Sequence, residues 1–239
     1  MLFRSIKTSV LLLSFSLSLM ACSAFTQSSS KQADNTNKDT ALIQQFNATM
    51  VLVAGGSYQR GSTLSTASPR ELPVHTVTLD DFYIQKTEVT QQQFETVMGW
   101  NYSYFQCETC PVNNISWSEM QLFIDKLNQL TGMAYRFPTE AEWEYAARGG
   151  KHSKNYRYSG SNNIDEVAWY SENAMRKLHP VAQKKPNELG LYDMTGNVWE
   201  FVADDMSRKA YQHAATHNPI YKIDNQKGKK LKVLRGSGY

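Results

Sequence analysis

Apolar residues come in short bursts as far as position 150 and as isolated anchors beyond it. Met50-Val-Leu-Val53 is an apolar run closed by Gly55-Gly56, the pattern of a strand entering a turn. Tyr58 to Gly61 predicts a second short strand. Val74 to Leu79 and Phe82 to Lys86 each alternate apolar with polar positions, as half-buried strands do. Asp80-Asp81 between them suits a turn, so the two are expected to pair as a hairpin. Residues 62–73, rich in Ser, Thr and Pro, predict a surface loop.

Three helices are announced by capping boxes, a Ser or Thr followed three residues later by Glu or Gln. Thr90 with Gln93 opens a helix through Met98, stopped at Gly99. Ser116 with Glu119 opens one whose Met120, Phe123, Ile124, Leu127 and Leu130 share a face, with Gly132 closing it. Thr139 with Glu142 opens a third, holding Trp143, Ala146 and Ala147 and ending at Gly149-Gly150. The remainder is irregular and weighted with Tyr, Asn and Ser around anchors such as Val167, Trp169 and Val181. Loops of that make-up form a binding face or are stapled down by their own side chains.

Within the irregular part, Gly190 to Glu200 sets Asp193, Asn197 and Glu200 among the apolar Leu191, Met194, Val198 and Trp199. Gly196 can take backbone angles other residues resist. The pattern predicts a turn pinned by its large side chains with oxygens turned inward. Mixed carboxylate, amide and backbone oxygens suit a hard cation such as calcium. A turn whose Asp and Asn cap their own backbone fits the spacing equally well.

The chain has 239 residues, 41% of them hydrophobic, enough for one core and one domain. Residues 1–21 carry Arg4 and Lys7, then a serine-broken apolar run from Val10 to Leu19, ending Leu19-Met20-Ala21-Cys22. This reads as a signal segment, too short to remain as a spanning helix. The order of apolar run, small residue and cysteine resembles a bacterial lipobox, which makes Cys22 the lipidated N-terminus. Ser23 in place of Asp leans toward outer-membrane sorting in a Gram-negative cell, facing the periplasm or the exterior. Residues 22–48 are expected to form a flexible polar tether with order beginning near Thr49, and 49–239 the domain. Losing Arg4 and Lys7 takes the net charge from +3 to +1, so nucleic acid is not an expected partner. The basic run Lys227, Lys229, Lys230 and Lys232 reads as a solvated loop.

Cys107 and Cys110 are the cysteines left in the mature fold, beyond the lipidated Cys22. In an exported protein such a pair reads as a disulfide staple, because zinc would need two further soft ligands. A redox role is disfavoured because Pro111 and an Asn-rich turn follow, not a helix that would stabilise a thiolate. His213 and His217, four apart, lack the third ligand of a metal site. No Ser-His-Asp arrangement or phosphate-binding glycine loop stands out.

One segment narrows the family. Arg136-Phe-Pro-Thr-Glu-Ala-Glu-Trp-Glu-Tyr-Ala-Ala-Arg-Gly-Gly150 resembles the signature of the formylglycine-generating enzymes, or sulfatase-modifying factors. Met50 to Tyr58, Pro73-Val-His75, Glu88-Val-Thr90, Pro111-Val with Ser116-Trp117, Pro186-Asn187 and Gly190 to Glu200 agree in order. The resemblance implies an α+β fold of the C-type-lectin kind: short strands, about three helices and long loops. It also implies calcium at the last stretch, with Asp193 and Glu200 giving side-chain oxygens, Gly196 and Val198 giving carbonyls, and Asn197 bracing the turn. A second calcium site in the family draws on the region before Pro180, where Asn173 or its neighbours are candidates. Glu140, Glu142 and Arg148 are read as structural ion pairs, since buried charges must be paired.

The resemblance has gaps. The family's oxidases bind copper through cysteines in the C-terminal part, and no cysteine follows Cys110. Val233-Leu-Arg235-Gly-Ser-Gly-Tyr239 resembles the start of a strand after which the family pattern continues, so a C-terminally truncated domain is expected. Copper and catalytic residues are therefore not expected. The reading is a membrane-anchored, non-catalytic binding or accessory module whose partner is an envelope protein or glycan. The alternative is an oxidase or maturation enzyme acting on exported proteins.

Overall fold

The computed structural model describes residues 3–4, 40–63, 68–223 and 231–238. Cys22, most of the signal segment and tether, and Lys227, Lys229 and Lys230 lie outside them. Among the described residues no helix is long and apolar enough to cross a membrane.

The strands are β1 (Phe3–Arg4), β2 (Met50–Val53), β3 (Gly56–Arg60), β4 (His75–Leu79), β5 (Phe82–Gln85), β6 (Tyr135–Arg136), β7 (Trp199–Asp205) and β8 (Lys232–Gly236). The helices are α1 (residues 40–48), α2 (Gln91–Met98), α3 (Trp117–Thr131), α4 (Glu140–Ala147), α5 (Ile164–Val167) and α6 (Ala210–His213). One sheet runs β2-β5-β1-β6; β3-β4 and β7-β8 form two-stranded sheets. The α+β fold with short strands and long loops is as expected.

The hairpin expected of β4 and β5 does not form. β4 pairs with β3 and β5 with β2, and both ladders keep one register: Val53 faces Phe82 and Gly56 faces Leu79. The segments 50–60 and 75–85 are thus a single antiparallel ribbon that bends where Ala54-Gly55 lies opposite Asp80-Asp81. The Gly55 N–H donates to Asp81 Oδ1 at 2.7 Å. A side chain at Gly55 would meet the Leu79 carbonyl at 2.2 Å. Asp80 is held by Asn218 and His217 and does not turn a hairpin.

Order also begins earlier than Thr49. Residues 40–48 are helical, and Leu42 and Phe46 are buried beside Phe94, Phe123 and Tyr135. Two apolar side chains four apart supply the one-sided stripe that a helix needs, which the polar composition around them concealed. β1 lies between β5 and β6, with Phe3 opposite Ile84 and Arg136. Cleavage before Cys22 would take that strand out of the sheet.

All three capping boxes are present with both reciprocal bonds, and α2 and α3 end on left-handed Gly99 and Gly132. α4 is buried on nearly every side. Its glutamates meet arginines: Glu140 with Arg60 at 2.8 Å, Glu142 with Arg136 at 2.7 Å and Glu144 with Arg148 at 2.8 Å. These pairs fix α4 in the core, and α4 packs against both β3 and β7. β7 continues directly from the turn at 190–198.

Candidate cation site and adjoining pocket

The 190–200 turn is held by close approach and by strain. Asp193 and Asn197 sit in the left-handed region at φ 60° and 65°, which L-residues adopt at a cost. Gly196 does not. It is glycine for space, since a Cβ there would lie 2.2 Å from the Trp169 carbonyl oxygen. Asn197 is fully buried and braces the turn. Its N–H donates to that carbonyl at 2.8 Å, its Oδ1 accepts from the His179 N–H, and its Nδ2 donates to the His179 carbonyl. The Trp169 and His179 rings stack at 3.8 Å beneath it.

This bracing sets the carboxylates. Asp193 is buried; its Oδ2 accepts from the Ala182 N–H at 2.8 Å, while its Oδ1 has no hydrogen-bond partner. Burial pushes its pKa up to about 6, with the Glu200 charge adding to the rise and the Ala182 N–H opposing it. Glu200 is buried on β7, opposite Arg235 in the ladder. Gly196 and Val198, the expected carbonyl donors, lie between these two acids in the chain.

The structure adds Glu88, on the link between β5 and α2. Its side chain is buried, and neither carboxylate oxygen has a hydrogen-bond partner. Burial first, then the charges of Asp193 and Glu200, holds its carboxyl well above the usual range. Glu88 stood in the sequence only as part of Glu88-Val-Thr90; nothing local marks it as a neighbour of residues 193–200. Among the described residues, no three His, Cys, Asp or Glu side chains stand placed to hold a metal by themselves. The expected set of two carboxylates and two carbonyls does not require that. Orphaned, buried oxygens in a set without nitrogen or sulfur suit a hard cation.

Beside the acids lies a cavity of about 380 Å³. Val112, Met120, Phe137 and Phe201 give it an apolar wall, and Glu88 and Glu200 form part of its lining. Trp199, more than half exposed, also lines it.

Other candidates separate. Asn173 Oδ1 accepts from the Tyr170 N–H and its Nδ2 donates to the Ala168 carbonyl, so its amide braces the 165–174 loop. His213 ends α6, whereas His217 lies beyond it and meets Asp80 at 3.0 Å; the two share no helix. Cys107 and Cys110 are joined by a disulfide, Cα to Cα 5.2 Å. The loop it closes caps α2, since the Cys110 and Glu108 carbonyls accept from Gln91 and Gln92. Gln91 in turn donates to the Phe105 carbonyl and accepts from the Cys107 N–H. The aromatics this arrangement presents are Tyr102 (66% exposed), Tyr104 (79%) and Phe105 (41%). The exposed aromatic cluster therefore sits before α3, not in the irregular region after Gly150. Asn113 and Asn114, which line the cavity, bond to Tyr104 and Tyr102.

The family model for the sulfatase-modifying factor enzyme 1-like domain matches residues 36–239. Chaperone protein LppX of Paenibacillus barcinonensis is 39% identical over 203 residues, covering 64% of this chain and 70% of its own. A formylglycine-generating enzyme of Thermomonospora curvata is 26% identical over 246 residues, covering 76% and 78%. The solved structure of PvdO from Pseudomonas aeruginosa is similar with a TM-score of 0.66 at 25% identity, over 79% of this chain and 81% of that one.

Proposed function

Because this chain belongs to the sulfatase-modifying factor family, we propose that it works as a non-catalytic accessory module of the cell envelope that binds exported polypeptides. The observation that carries this reading is the Tyr102, Tyr104 and Phe105 cluster, held out to solvent by the disulfide-closed loop beside the apolar cavity. Exposed aromatics next to an apolar cavity bind unfolded or extended chains through their apolar side chains. The similarity to a protein named as a chaperone supports the same role. Lipidation of Cys22 would tether the module to the membrane, with the domain in the periplasm or outside the cell.

Calcium fits the turn, through the Asp193 and Glu200 carboxylates and the Gly196 and Val198 carbonyls. When bound it supplies a fixed positive charge that offsets buried acids. The chain's own residues then hold the cavity wall: Asn197 locks the turn, and Trp199 and Phe201 stay aligned along the start of β7.

The test is light scattering from an unfolded secreted protein diluted into buffer. Stoichiometric chain should suppress aggregation, and a Tyr102→Ser, Tyr104→Ser, Phe105→Ser variant should not. Equal scattering with and without the chain overturns the reading. Oxygen consumption with a cysteine-containing peptide, dependent on added copper, would instead support an oxidase. Metabolic labelling with palmitate, lost in Cys22→Ser, tests the anchor.

A further inference from the structure

β1 is only Phe3–Arg4, yet it lies inside the four-stranded sheet, with β5 on one side and β6 on the other. Phe3 faces Ile84 and Arg136, and Arg4 faces Tyr83 and Tyr135, antiparallel on both sides. β5 and β6 therefore run parallel to each other across a gap one strand wide, roughly 10 Å. Each is anchored in its own core. Ile84 is buried with Val53, Val77 and Leu79, whereas Tyr135 is buried with Phe46 and Phe123. Their far edges are taken. β2 pairs with β5, and on β6 the Asn128 side chain accepts from the Tyr135 N–H at 2.6 Å and donates to the Tyr135 carbonyl at 2.9 Å. Removing residues 1–21 takes β1 away and leaves a slot with a backbone edge on each side. Closing it would pull β5 or β6 out of its core, and an open strand edge is a template for another chain.

We propose that this slot is a strand-acceptor site opened by removal of the signal segment, and that an extended apolar segment of an exported polypeptide enters it, antiparallel to β5 and β6. The inference rests on the polypeptide-binding reading given above and on processing before Cys22, and it adds a second place of contact. Successive strand residues face opposite sides. A segment entering in the register of β1 therefore sets one residue beside Ile84 in one core and the next beside Tyr135 in the other. A strand covered on both faces calls for a continuous apolar run, which a folded protein hides and an unfolded one exposes. Main-chain hydrogen bonds supply affinity in strand addition without fixing the sequence. In the uncut chain β1 fills the slot, so the acceptor stays closed until the signal segment is removed.

The test uses the full chain with a protease recognition sequence inserted between Ala21 and Cys22, studied uncut and cut. The probes are fluorescent peptides: residues 1–7 of the chain, a Val- and Leu-rich peptide of unrelated sequence, and the first peptide with Phe3→Pro and Arg4→Pro, which removes backbone donors. A tethered strand competes at an effective concentration on the order of millimolar, so cutting should tighten peptide binding at least about tenfold. Cut chain should bind both unmodified peptides, reject the proline peptide, and gain hydrogen-exchange protection at the β5 and β6 amides on binding. Equal binding before and after cutting, or no binding after it, overturns the inference. The Tyr102→Ser, Tyr104→Ser, Phe105→Ser variant should bind the peptides equally; loss there would place them on the aromatic cluster and overturn the slot. Binding of residues 1–7 with refusal of the unrelated peptide makes β1 a structural strand and overturns it too, as does a cut chain that dimerises and refuses both. If the cut chain unfolds, cutting in the presence of the unrelated peptide should preserve its melting transition, and failure to do so overturns the inference. Peptide binding in the slot by a chain that does not suppress aggregation upholds the slot and overturns the role given to the aromatic cluster.

Discussion

Gly196 offers a measurement that separates two reasons for a glycine. A Cβ at Gly196 would lie 2.2 Å from the Trp169 oxygen, 2.9 Å from its carbonyl carbon and 3.0 Å from its nitrogen. All three are backbone atoms, pinned by the Trp169–His179 stack, so the turn must move. Forced overpacking costs about 1–3 kcal/mol. Movement also stretches the bond from the Asn197 N–H to the Trp169 carbonyl, worth about 0.5–1.5 kcal/mol. Alanine returns about 0.4–1 kcal/mol by restricting the unfolded chain. Gly196→Ala should therefore lose about 2–3 kcal/mol net. Gly190 is the control. It has φ 76° and nothing within 4 Å of the Cβ position, so its alanine pays only for the left-handed backbone, about 1–2 kcal/mol. Asparagine should recover part of that loss at 190 and deepen it at 196, because it tolerates the left-handed region but is larger. Urea unfolding of the four variants, with slopes compared to confirm two-state behaviour, reads the difference. A Gly196→Ala loss below about 1 kcal/mol, or asparagine tolerated better than alanine at 196, refutes the close-approach argument.

Three further outcomes follow from the same structure. Arg60→Ala should cost about 3 kcal/mol in urea unfolding, because it leaves the buried Glu140 with the Tyr211 hydroxyl at 3.4 Å and the more distant cation of Arg235, 3.9 Å away; a loss under about 1 kcal/mol would contradict that pairing. In calcium-free buffer Asp193 titrates at about 6 in the fold against 3.8 outside it, so its contribution is full below 3.8 and is lost as pH rises through about 6. Unfolding free energy against pH should accordingly fall more steeply across that interval for wild type than for Asp193→Asn, by on the order of 3 kcal/mol; parallel curves would dismiss the shift. A chain beginning at Cys22 lacks β1 and should exchange the backbone amides of β5 and β6 faster than the full chain does, whereas equal protection would mean another segment has taken that place in the sheet.

Local rules carried the sequence reading a long way. The boxes at Thr90, Ser116 and Thr139 and the stops at Gly99 and Gly132 were legible because a cap is decided by groups three or four residues apart. Alternation placed Val77, Leu79, Phe82 and Ile84 inside for the same reason. It could not choose partners for β4 and β5, because that choice rests on Gly55 and Asp81 meeting across 26 residues of chain. Nor could it see that Leu42 and Phe46 had a core to enter.

The site divides in the same way. The sequence by itself determined that residues 193–200 would be a turn rich in oxygen and pinned by apolar side chains. Tertiary structure decided which oxygens are left without a partner, and it brought Glu88 to them from an element about a hundred residues away. It also moved the meaning of Gly196 from backbone angle to space, and of the aromatic face from the last third of the chain to Tyr102, Tyr104 and Phe105. The reason is physical: capping and periodicity are properties of neighbours in the chain, whereas burial, charge and the distance to the next backbone depend on what the fold packs around them.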